Sequence, residues 1–460
     1  MKVHRVVKRT WVIHVFLLIL LAGMLFFLGE YVTKAQRWVA ATGSPHLYNN
    51  SNIGCGTIVD RSGTVLLDIS TERSYAEDST TRKSTLHWLG DRQGFVSAAA
   101  VSGYADEMAG YDRINGVYAA SGEGGHAQLT LSAWVQNTAL EALGGRKGTV
   151  AVYNYKTGEI LCAVTGPTFD PDNIPDIAAD ESGAYDGVYL NRFVQSAYVP
   201  GSIFKIVTVT AALENIPDIE EQSFRCTGKM EYGTEAVTCE TAHGTQTLER
   251  AFANSCNCAF AQIAEQLGKT NMVNAVKKYE LTQPLSFDGI TTAKGNYNVE
   301  DTAMVTFAWS CIGQHSDLVN PARFMTYMGA IANGGSAAEP YIMAKVECGS
   351  ESTYEADTRS TGRIMSRETA DQVRAYMRRN TELVYGDWNF PGLKVCAKSG
   401  TSQLGGGQKS NAMFAGFVDS EEYPLAFMVV VENGGYGSHT CVPIISKVLG
   451  VCKAVMDQEK

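Results

Sequence analysis

The sequence lacks any block of basic residues after its first ten positions, and its formal net charge is -10. Nucleic-acid binding needs clustered lysine and arginine side chains, so this charge pattern argues against a nucleic-acid partner. No segment recurs at a period of about 20 to 50 residues, which argues against a repeat protein. The chain also has no C-x-x-C pair and no histidine cluster, so its sequence gives little support for a metal site.

The composition is that of a globular protein. Hydrophobic residues make up 45% of the 460 positions and charged residues 19%, which excludes a disordered or low-complexity chain. This length is enough for two or three domains, each with a hydrophobic core of its own.

One long apolar run is present, from Trp11 to Gly29. It has about the length that a helix needs to cross the hydrocarbon layer of a membrane. Basic residues are concentrated in positions 1–10, so the positive-inside rule places this N-terminus in the cytoplasm and the rest of the chain outside. The run is longer than the apolar core of a signal peptide, and no small-x-small cleavage site follows directly, so we expect an uncleaved anchor.

After the anchor, the chain divides into two patterns. Residues 30–122 carry short polar and glycine-rich stretches, which we interpret as a small extracytoplasmic stalk module, and residues 123–460 show steadier globular periodicity. Strand patterns at 148–166 and again from Gly392 enclose a mostly helical region. This order predicts an α/β (α+β) fold, in which both ends of the domain meet in one antiparallel sheet with a helical cluster on one side.

The chain has eleven cysteines, an odd number that cannot all pair with one another. Cys256 and Cys258 are too close on one predicted helix to bridge each other. Cys226 and Cys239 flank a glycine-containing loop and are the best candidates for a disulfide. Most of the others lie in apolar surroundings and are expected to be reduced core residues.

The strongest local motif is S-x-x-K at Ser202 and Lys205, which opens an apolar run after Pro200-Gly201. On a helix these two side chains share a face. A lysine desolvated by apolar neighbours can have its pKa lowered enough to act as a base for the serine hydroxyl. A capping serine followed by a surface lysine would give the same pattern, so this motif alone leaves both interpretations open.

A second motif is Ser255-Cys256-Asn257, the only S-x-N in the chain. Ser255 could relay a proton, and Asn257 could hydrogen-bond a substrate amide. A helix cap or a polar turn is the simpler interpretation of this motif by itself.

The third motif is A-K-S-G-T, with Lys398 and Gly400 on one face of a predicted strand. The ammonium can attract a substrate carboxylate, and the glycine lets another backbone approach closely. Ser399 and Thr401 can donate further hydrogen bonds. An earlier K-T-G, at residues 156–158, lies in a predicted hairpin turn, so we assign it to sheet architecture and not to catalysis.

The order S-x-x-K, S-x-N, K-S-G-T is that of penicillin-binding proteins and serine β-lactamases. Over roughly residues 50–455 the chain resembles class B penicillin-binding proteins, the monofunctional D,D-transpeptidases. The resemblance is carried by the segments GCGTIVDRSGTVL, GDRQGF, TGEILCAVTGPTFDPD, NRFVQSAYVPGSIFK, LERAFANSCN, IGQHSDLVNPARF and KSGTSQ. It departs from the family at Cys55, where an arginine is usual.

The resemblance implies a penicillin-binding transpeptidase fold and an enzyme that cross-links peptidoglycan stem peptides and is acylated by β-lactams. Ser202 would be the nucleophile and Lys205 its base, and Ser255 with Lys398 would pass a proton to the leaving D-alanine. No metal or organic cofactor is implied.

The same resemblance implies how substrate is bound. Asn257 would hold the stem peptide, and Lys398, Ser399 and Thr401 would bind its terminal carboxylate. The amides of Ser202 and Thr401 would form the oxyanion hole.

The segment between the anchor and the catalytic domain is too short for a glycosyltransferase domain. A polytopic membrane glycosyltransferase and other wall-synthesis proteins are therefore the expected partners, at the outer face of the cytoplasmic membrane.

Three other functions stay open. A D,D-carboxypeptidase would deliver water in place of the acceptor amine. A serine β-lactamase would need an efficient deacylating base, and the chain has no E-x-x-L-N segment of the class A kind. A non-catalytic scaffold or β-lactam sensor would keep the motifs without turnover.

Overall fold

The computed structural model describes residues 2–39, 48–49, 52–53, 56–70, 73–108, 124–349, 351–403 and 409–460. Its helices are α1 (Lys2–Val39), α2 (Ser79–Leu89), α3 (Ala99–Ser102), α4 (Ala105–Met108), α5 (Ala133–Leu143), α6 (Arg192–Gln195), α7 (Lys205–Asn215), α8 (Leu248–Ala253), α9 (Asn257–Lys278), α10 (Met304–Cys311), α11 (Pro321–Ala332), α12 (Arg367–Asn380) and α13 (Gly437–Gln458). Its strands are β1 (Tyr48–Asn49), β2 (Asn52–Ile53), β3 (Thr57–Val59), β4 (Val65–Asp68), β5 (Ser74–Tyr75), β6 (His126–Leu129), β7 (Gly148–Asn154), β8 (Ile160–Gly166), β9 (Ser223–Cys226), β10 (Lys229–Tyr232), β11 (Glu235–Thr238), β12 (Gly244–Thr247), β13 (Ser286–Phe287), β14 (Ile290–Thr291), β15 (Met343–Cys348), β16 (Glu351–Glu355), β17 (Val395–Ser402), β18 (Asn411–Val418) and β19 (Leu425–Val431).

A five-stranded antiparallel sheet in the order β17-β18-β19-β7-β8 forms the centre of the region from Gly148 onward. The C-terminal strand β19 pairs with β7 from the start of the region, which confirms that the two ends meet in one sheet. Strand β17 has one sheet neighbour, so its other edge is available to line a site.

Side chains of the central strands alternate between two separate cores. In β7, Val150 and Val152 pack with the residues of α5 and α13, whereas Ala151 and Tyr153 belong to the larger core of the helical region. Helices therefore cover both faces of the sheet, with the predicted helical cluster on one face and α5 and α13 on the other. Burial on both faces explains why every residue of β7, β8, β18 and β19 is buried.

A six-stranded sheet in the order β16-β15-β6-β3-β4-β5 lies in the N-terminal part of the structure. Strand β3 pairs with β6, and β6 pairs with β15, which comes from far along the chain. Strands from both sides of the predicted division between residues 30–122 and 123–460 therefore pair in one sheet. The division itself stays a prediction. Cys55, the departure noted in the sequence, lies outside the described residues.

The first helix, α1, contains an apolar stretch over Val6–Ala35 that is long enough to cross a membrane, and none of its most apolar window is buried. Helix α13 is also long and apolar enough to cross a membrane, but 44% of its most apolar window is buried inside the protein. Its apolar residues belong to the core behind the sheet, so α13 is a core helix, whereas the apolar window of α1 lies outside the core.

Candidate active site

The serine of the S-x-x-K motif lies on a tight turn directly before α7. Residues Gly201–Phe204 form a 3-10 turn, and Gly201 has a left-handed φ of +56°. A Cβ on Gly201 would lie 2.7 Å from the carbonyl oxygen of Thr401, so only glycine lets the turn approach strand β17. The Gly201 amide donates to the carbonyl oxygen of Gly313 at 2.7 Å, which fixes the turn from its other side.

Lys205, at the first position of α7, is completely buried. Its Nζ lies 3.2 Å from Ser202 Oγ, 3.0 Å from Ser255 Oγ and 2.7 Å from Asn257 Oδ1. A fourth contact, at 2.6 Å, is made with the carbonyl oxygen of Ser255. One amine thus contacts the first two motifs predicted from the sequence.

The environment of Lys205 favours its neutral form. Desolvation by burial lowers its pKa well below the ordinary value, and the positive charge of Lys398 lowers it further. The ring of Phe260 lies 5.5 Å from the amine and closes the pocket around it. A neutral amine beside a serine hydroxyl can accept the hydroxyl proton as the serine attacks a carbonyl carbon.

Ser255 and Asn257 lie where α8 ends and α9 begins. Ser255 has a left-handed φ of +51°, which is uncommon for a residue other than glycine. Asn257 is the first residue of α9, and its Nδ2 donates to the carbonyl oxygen of Thr238 at 2.8 Å. The amide of Asn257 therefore bridges Lys205 and the last residue of β11.

Strand β17 carries the third motif along the open edge of the sheet. Gly400 faces the nucleophile turn, where a Cβ would lie 2.7 Å from the carbonyl oxygen of Pro200. Lys398 is buried, its Nζ lies 5.9 Å from the centre of the Phe252 ring, and desolvation lowers its pKa to about 8. Below that pH the ammonium is charged and can attract an anion such as a carboxylate.

Two residues that the motifs did not indicate support β17. The hydroxyl of Tyr385 accepts from the Ser399 amide at 2.7 Å and donates to Ser399 Oγ at 2.9 Å. Gln314 Nε2 donates to the carbonyl oxygen of Thr401 at 3.2 Å. Gln314 lies in the IGQHSD segment, which was a signal in the sequence, whereas no local pattern marks Tyr385.

These elements enclose a cavity of about 580 Å³. Six of the eight residues predicted from the sequence line it: Ser202, Ser255, Asn257, Lys398, Ser399 and Thr401. The other two support its walls, because Lys205 lies beneath the two serines and Gly400 packs against the nucleophile turn. Trp309, Val384 and Tyr436 add apolar surface to the same cavity.

The earlier K-T-G lies in the turn that joins β7 to β8, as predicted. Gly158 has a φ of +94°, and Lys156 forms an ion pair with Glu421 on the neighbouring hairpin. Among the described residues that line the cavity, none belongs to this turn.

The predicted disulfide between Cys226 and Cys239 is wrong, because both residues are free thiols in the structure. Cys226 Sγ lies 3.5 Å from His243 Nδ1, and Cys239 Sγ lies 3.8 Å from Cys256 Sγ. The loop between the two cysteines folds as the hairpin β10–β11, and Cys239 lines the active-site cavity. The expectation of reduced core cysteines is confirmed for Cys162, Cys311, Cys396, Cys441 and Cys452.

Comparison with known families identifies one domain. The family "Penicillin binding protein transpeptidase domain" matches residues 148–450. The chain is 25% identical over 338 residues to the peptidoglycan D,D-transpeptidase PbpA of Mycolicibacterium smegmatis, a match that covers 68% of each chain. It is 29% identical over 320 residues to the stage V sporulation protein D of Bacillus subtilis, covering 66% of this chain and 48% of that one.

Solved structures show the same fold. Penicillin-binding protein A from M. tuberculosis, as a ceftriaxone acyl-enzyme complex, has a TM-score of 0.76 at 21% identity and covers 86% of this chain and 98% of that one. The D,D-transpeptidase domain of a peptidoglycan glycosyltransferase from Eggerthella lenta has a TM-score of 0.74 at 26% identity, covering 88% and 98%. PBP2 of Helicobacter pylori, solved in a complex with MreC, has a TM-score of 0.61 at 21% identity, covering 72% and 64%.

Proposed function

The chain belongs to the penicillin-binding protein transpeptidase family, as a class B member, and from this premise we propose how its residues perform the reaction. The enzyme is a peptidoglycan D,D-transpeptidase that cross-links stem peptides through a serine acyl-enzyme and is acylated by β-lactams. The observation that carries the residue assignment is the buried amine of Lys205, which contacts Ser202, Ser255 and Asn257 at once.

Acylation begins when Lys205 Nζ takes the proton of Ser202 Oγ and the oxygen attacks the carbonyl carbon between the two D-alanines. The negative charge then develops on the carbonyl oxygen, where the amides of Ser202 and Thr401 stabilise it. As the C–N bond breaks, Ser255 passes a proton to the leaving D-alanine amine and receives the proton held by Lys205, whose Nζ lies 3.0 Å from Ser255 Oγ, while Lys398 assists the transfer. The product is an ester between Ser202 and the stem peptide.

Substrate is positioned by the rest of the cavity. Lys398, Ser399 and Thr401 bind the terminal carboxylate, and Asn257 holds the peptide amide. An amine from a neighbouring stem then attacks the ester carbon, Ser202 recovers its proton, and the new amide bond is the cross-link.

A fluorescent penicillin tests the nucleophile directly on the full chain in detergent. We expect stable covalent labelling that Ser202→Ala abolishes, whereas Ser438→Ala, a serine of the same cavity outside the motifs, retains it. Label that persists on Ser202→Ala would overturn the assignment of the nucleophile.

The stability of the label and the composition of the cell wall distinguish a transpeptidase from the alternative functions. Rapid loss of the label would indicate a β-lactamase, and absence of any label would indicate a scaffold. Depletion of the enzyme should lower the fraction of cross-linked dimers in the wall, measured by mass spectrometry. Unchanged dimers with shorter stems in the presence of the enzyme would instead indicate a D,D-carboxypeptidase.

For the membrane, we propose that α1 is an uncleaved anchor with a cytoplasmic N-terminus and an extracytoplasmic catalytic domain. The apolar stretch at Val6–Ala35 and the basic residues of positions 1–10 support this orientation. Protease added to intact spheroplasts should digest the catalytic domain and leave an N-terminal fragment protected. Protection of the whole chain would contradict the orientation.

For partners, we propose a polytopic membrane glycosyltransferase together with other wall-synthesis proteins. The complex of H. pylori PBP2 with MreC supports an assembly of this kind. Crosslinking in living cells, followed by capture of the full chain, should recover a glycosyltransferase. Recovery of the chain alone at every crosslinker length would contradict the proposal.

A further inference from the structure

A polar ribbon, residues 223–247, crosses one wall of the active site. It consists of the pairs β9–β12 and β10–β11, whose side chains are mostly exposed. The buried side chains of these strands are few: Phe224, Cys226, Val237 and Gln246. The ribbon therefore buries little apolar surface of its own to hold its conformation.

The ribbon brings a set of metal-ligating side chains together. Cys226, Cys239 and His243 of the ribbon meet Cys256, the residue between the two catalytic positions of the S-x-N motif. Their ligand atoms all lie within 4.8 Å of one another. Cys226 and Cys256 are buried, and the other two are half-buried.

Two distances within this cluster match those between ligands of one metal ion, and neither is that of a disulfide. Two bonded sulfur atoms lie about 2.05 Å apart. A zinc ion with sulfur ligands at about 2.3 Å and nitrogen ligands at about 2.0 to 2.1 Å separates two sulfurs by about 3.8 Å, and a sulfur from a nitrogen by about 3.5 Å. Cys239 Sγ and Cys256 Sγ are 3.8 Å apart, and Cys226 Sγ and His243 Nδ1 are 3.5 Å apart.

We propose that four side chains bind one Zn²⁺ ion: Cys226, Cys239, His243 and Cys256. Three thiolates and one imidazole in a tetrahedral arrangement are the ligand set that zinc prefers, whereas Mg²⁺ and Ca²⁺ need oxygen ligands. Binding converts the three thiols to thiolates and releases three protons to solvent, and the imidazole binds in its neutral form.

The surroundings of the ligands suit this assignment. His243 Nε2 lies 3.4 Å from Thr241 Oγ1, so its N–H has an acceptor while Nδ1 faces the cluster. The Cys258 amide donates to Cys239 Sγ at 3.2 Å, a bond that a thiolate accepts more strongly than a thiol. Four protein ligands leave no open position, so the site is structural and the zinc does not enter the reaction.

Zinc bound to Cys256 would hold the S-x-N turn in place. Ser255 is in an uncommon left-handed conformation, and Asn257 is tied to the ribbon through the carbonyl oxygen of Thr238. A bond from the metal to the residue between them fixes both side chains against Lys205. The ion would therefore link the ribbon and the catalytic turn into one rigid wall.

The first measurement is the zinc content of the full chain purified in detergent without added metal, by mass spectrometry of the elements. We expect about one zinc per chain. Cys226→Ser and His243→Ala should each lower this to below about one fifth. Cys441→Ala, a buried thiol of the sheet core, and His126→Ala, an exposed imidazole, are matched controls that should retain zinc.

A second measurement does not depend on those variants being folded. Chain produced with cobalt(II) in place of zinc should show the visible absorption of a tetrahedral site with thiolate ligands. Unmodified chain that binds penicillin yet contains no zinc and acquires no cobalt spectrum would overturn the proposal. A mass lower than that of the reduced chain by two hydrogen atoms, with the linkage mapped to Cys239 and Cys256, would overturn it in favour of a disulfide.

Discussion

At the scale of single residues, the hydrogen-bond partners of Lys205 Nζ indicate the protonation state of this amine. Two of its neighbours, the Ser255 carbonyl and Asn257 Oδ1, can only accept a hydrogen bond, and they are the closest, at 2.6 and 2.7 Å. A neutral amine has two N–H groups and one lone pair. If both N–H groups are used by those acceptors, the lone pair is directed at the remaining hydroxyls, among them Ser202 Oγ at 3.2 Å. The geometry thus suits the deprotonated lysine.

The two lysines of the K-x-G sequences give the first prediction at this scale. Lys398→Ala removes the only cation of the third motif from the cavity, so we expect penicillin acylation to slow by about 10²-fold or more. Lys156→Ala should leave the rate near that of the unmodified enzyme, because Lys156 pairs with Glu421 outside the cavity. The rate of labelling by fluorescent penicillin is measured for both variants. Slow labelling of Lys156→Ala together with normal labelling of Lys398→Ala would overturn the assignment.

The pKa of Lys398 predicts a pH dependence. Burial lowers this pKa to about 8, so the free enzyme loses its carboxylate-binding charge as the pH rises through that value. The second-order rate constant for acylation reports ionisations of the free enzyme and should fall about tenfold per pH unit above that point.

Lys398→Arg provides the control, since arginine stays protonated throughout the accessible range. We expect the arginine variant to be slower overall and to lack the alkaline decline. A decline at the same pH in both proteins would show that another group causes it.

At the scale of elements, contact between β17 and the nucleophile turn is made by glycines. Gly400→Ala would place a Cβ 2.7 Å from the Pro200 carbonyl oxygen and push the strand away from Ser202. We expect acylation to slow by at least tenfold, since a displacement of about 1 Å at a catalytic group can slow a reaction about 10²-fold.

Gly450 is the matched control for that substitution. It lies on the exposed side of α13 with nothing within 4 Å of a Cβ, so Gly450→Ala should raise stability by roughly 1 kcal/mol through helix propensity. Thermal unfolding and penicillin labelling of both variants test the pair. An unaltered acylation rate in Gly400→Ala would show that the close approach is not needed.

At this scale the sequence predicts features encoded by neighbouring residues and misses those made by contacts between residues distant in the chain. The S-x-x-K, S-x-N and K-S-G-T segments are local patterns, and the antiparallel sheet follows from strand periodicity at both ends of the domain. Tyr385 reaches Ser399 only because a π-helical turn at Thr381–Tyr385 ends α12 beside β17, and no local pattern encodes that contact. The cysteine cluster was missed for the same reason, because its ligands follow the spacing C-x12-C-x3-H-x12-C and meet only through the ribbon.

At the scale of the whole molecule, ion pairs join the N-terminal part of the structure to the catalytic region. Arg82 on α2 donates to both carboxylate oxygens of Asp170, each at 2.7 Å, and the two side chains are largely buried. Asp170 follows strand β8, so this pair connects α2 to the central sheet. The Arg82 hydrogen bonds hold the pKa of Asp170 below its ordinary value.

The sign of the resulting pH effect can be worked out. A carboxylate whose pKa is lower in the folded state stabilises the protein fully above its unfolded pKa of about 3.9, and this contribution is lost as the pH falls through the folded value. At neutral pH the pair is therefore fully formed. Arg82→Ala should then lower the free energy of unfolding by about 1 to 3 kcal/mol, because it leaves a largely buried carboxylate without its charged donor.

Two comparisons make this prediction specific to the junction. Lys453→Ala removes an exposed pair with Asp457 on α13 and should change stability by less than about 0.5 kcal/mol. Arg82→Ala should also leave the penicillin acylation rate of the folded enzyme unaltered, because Arg82 lies outside the cavity lining. Thermal unfolding in detergent, followed by labelling of the native fraction, measures both quantities. Equal destabilisation by the two variants would show that the pair does not hold the N-terminal part against the catalytic region.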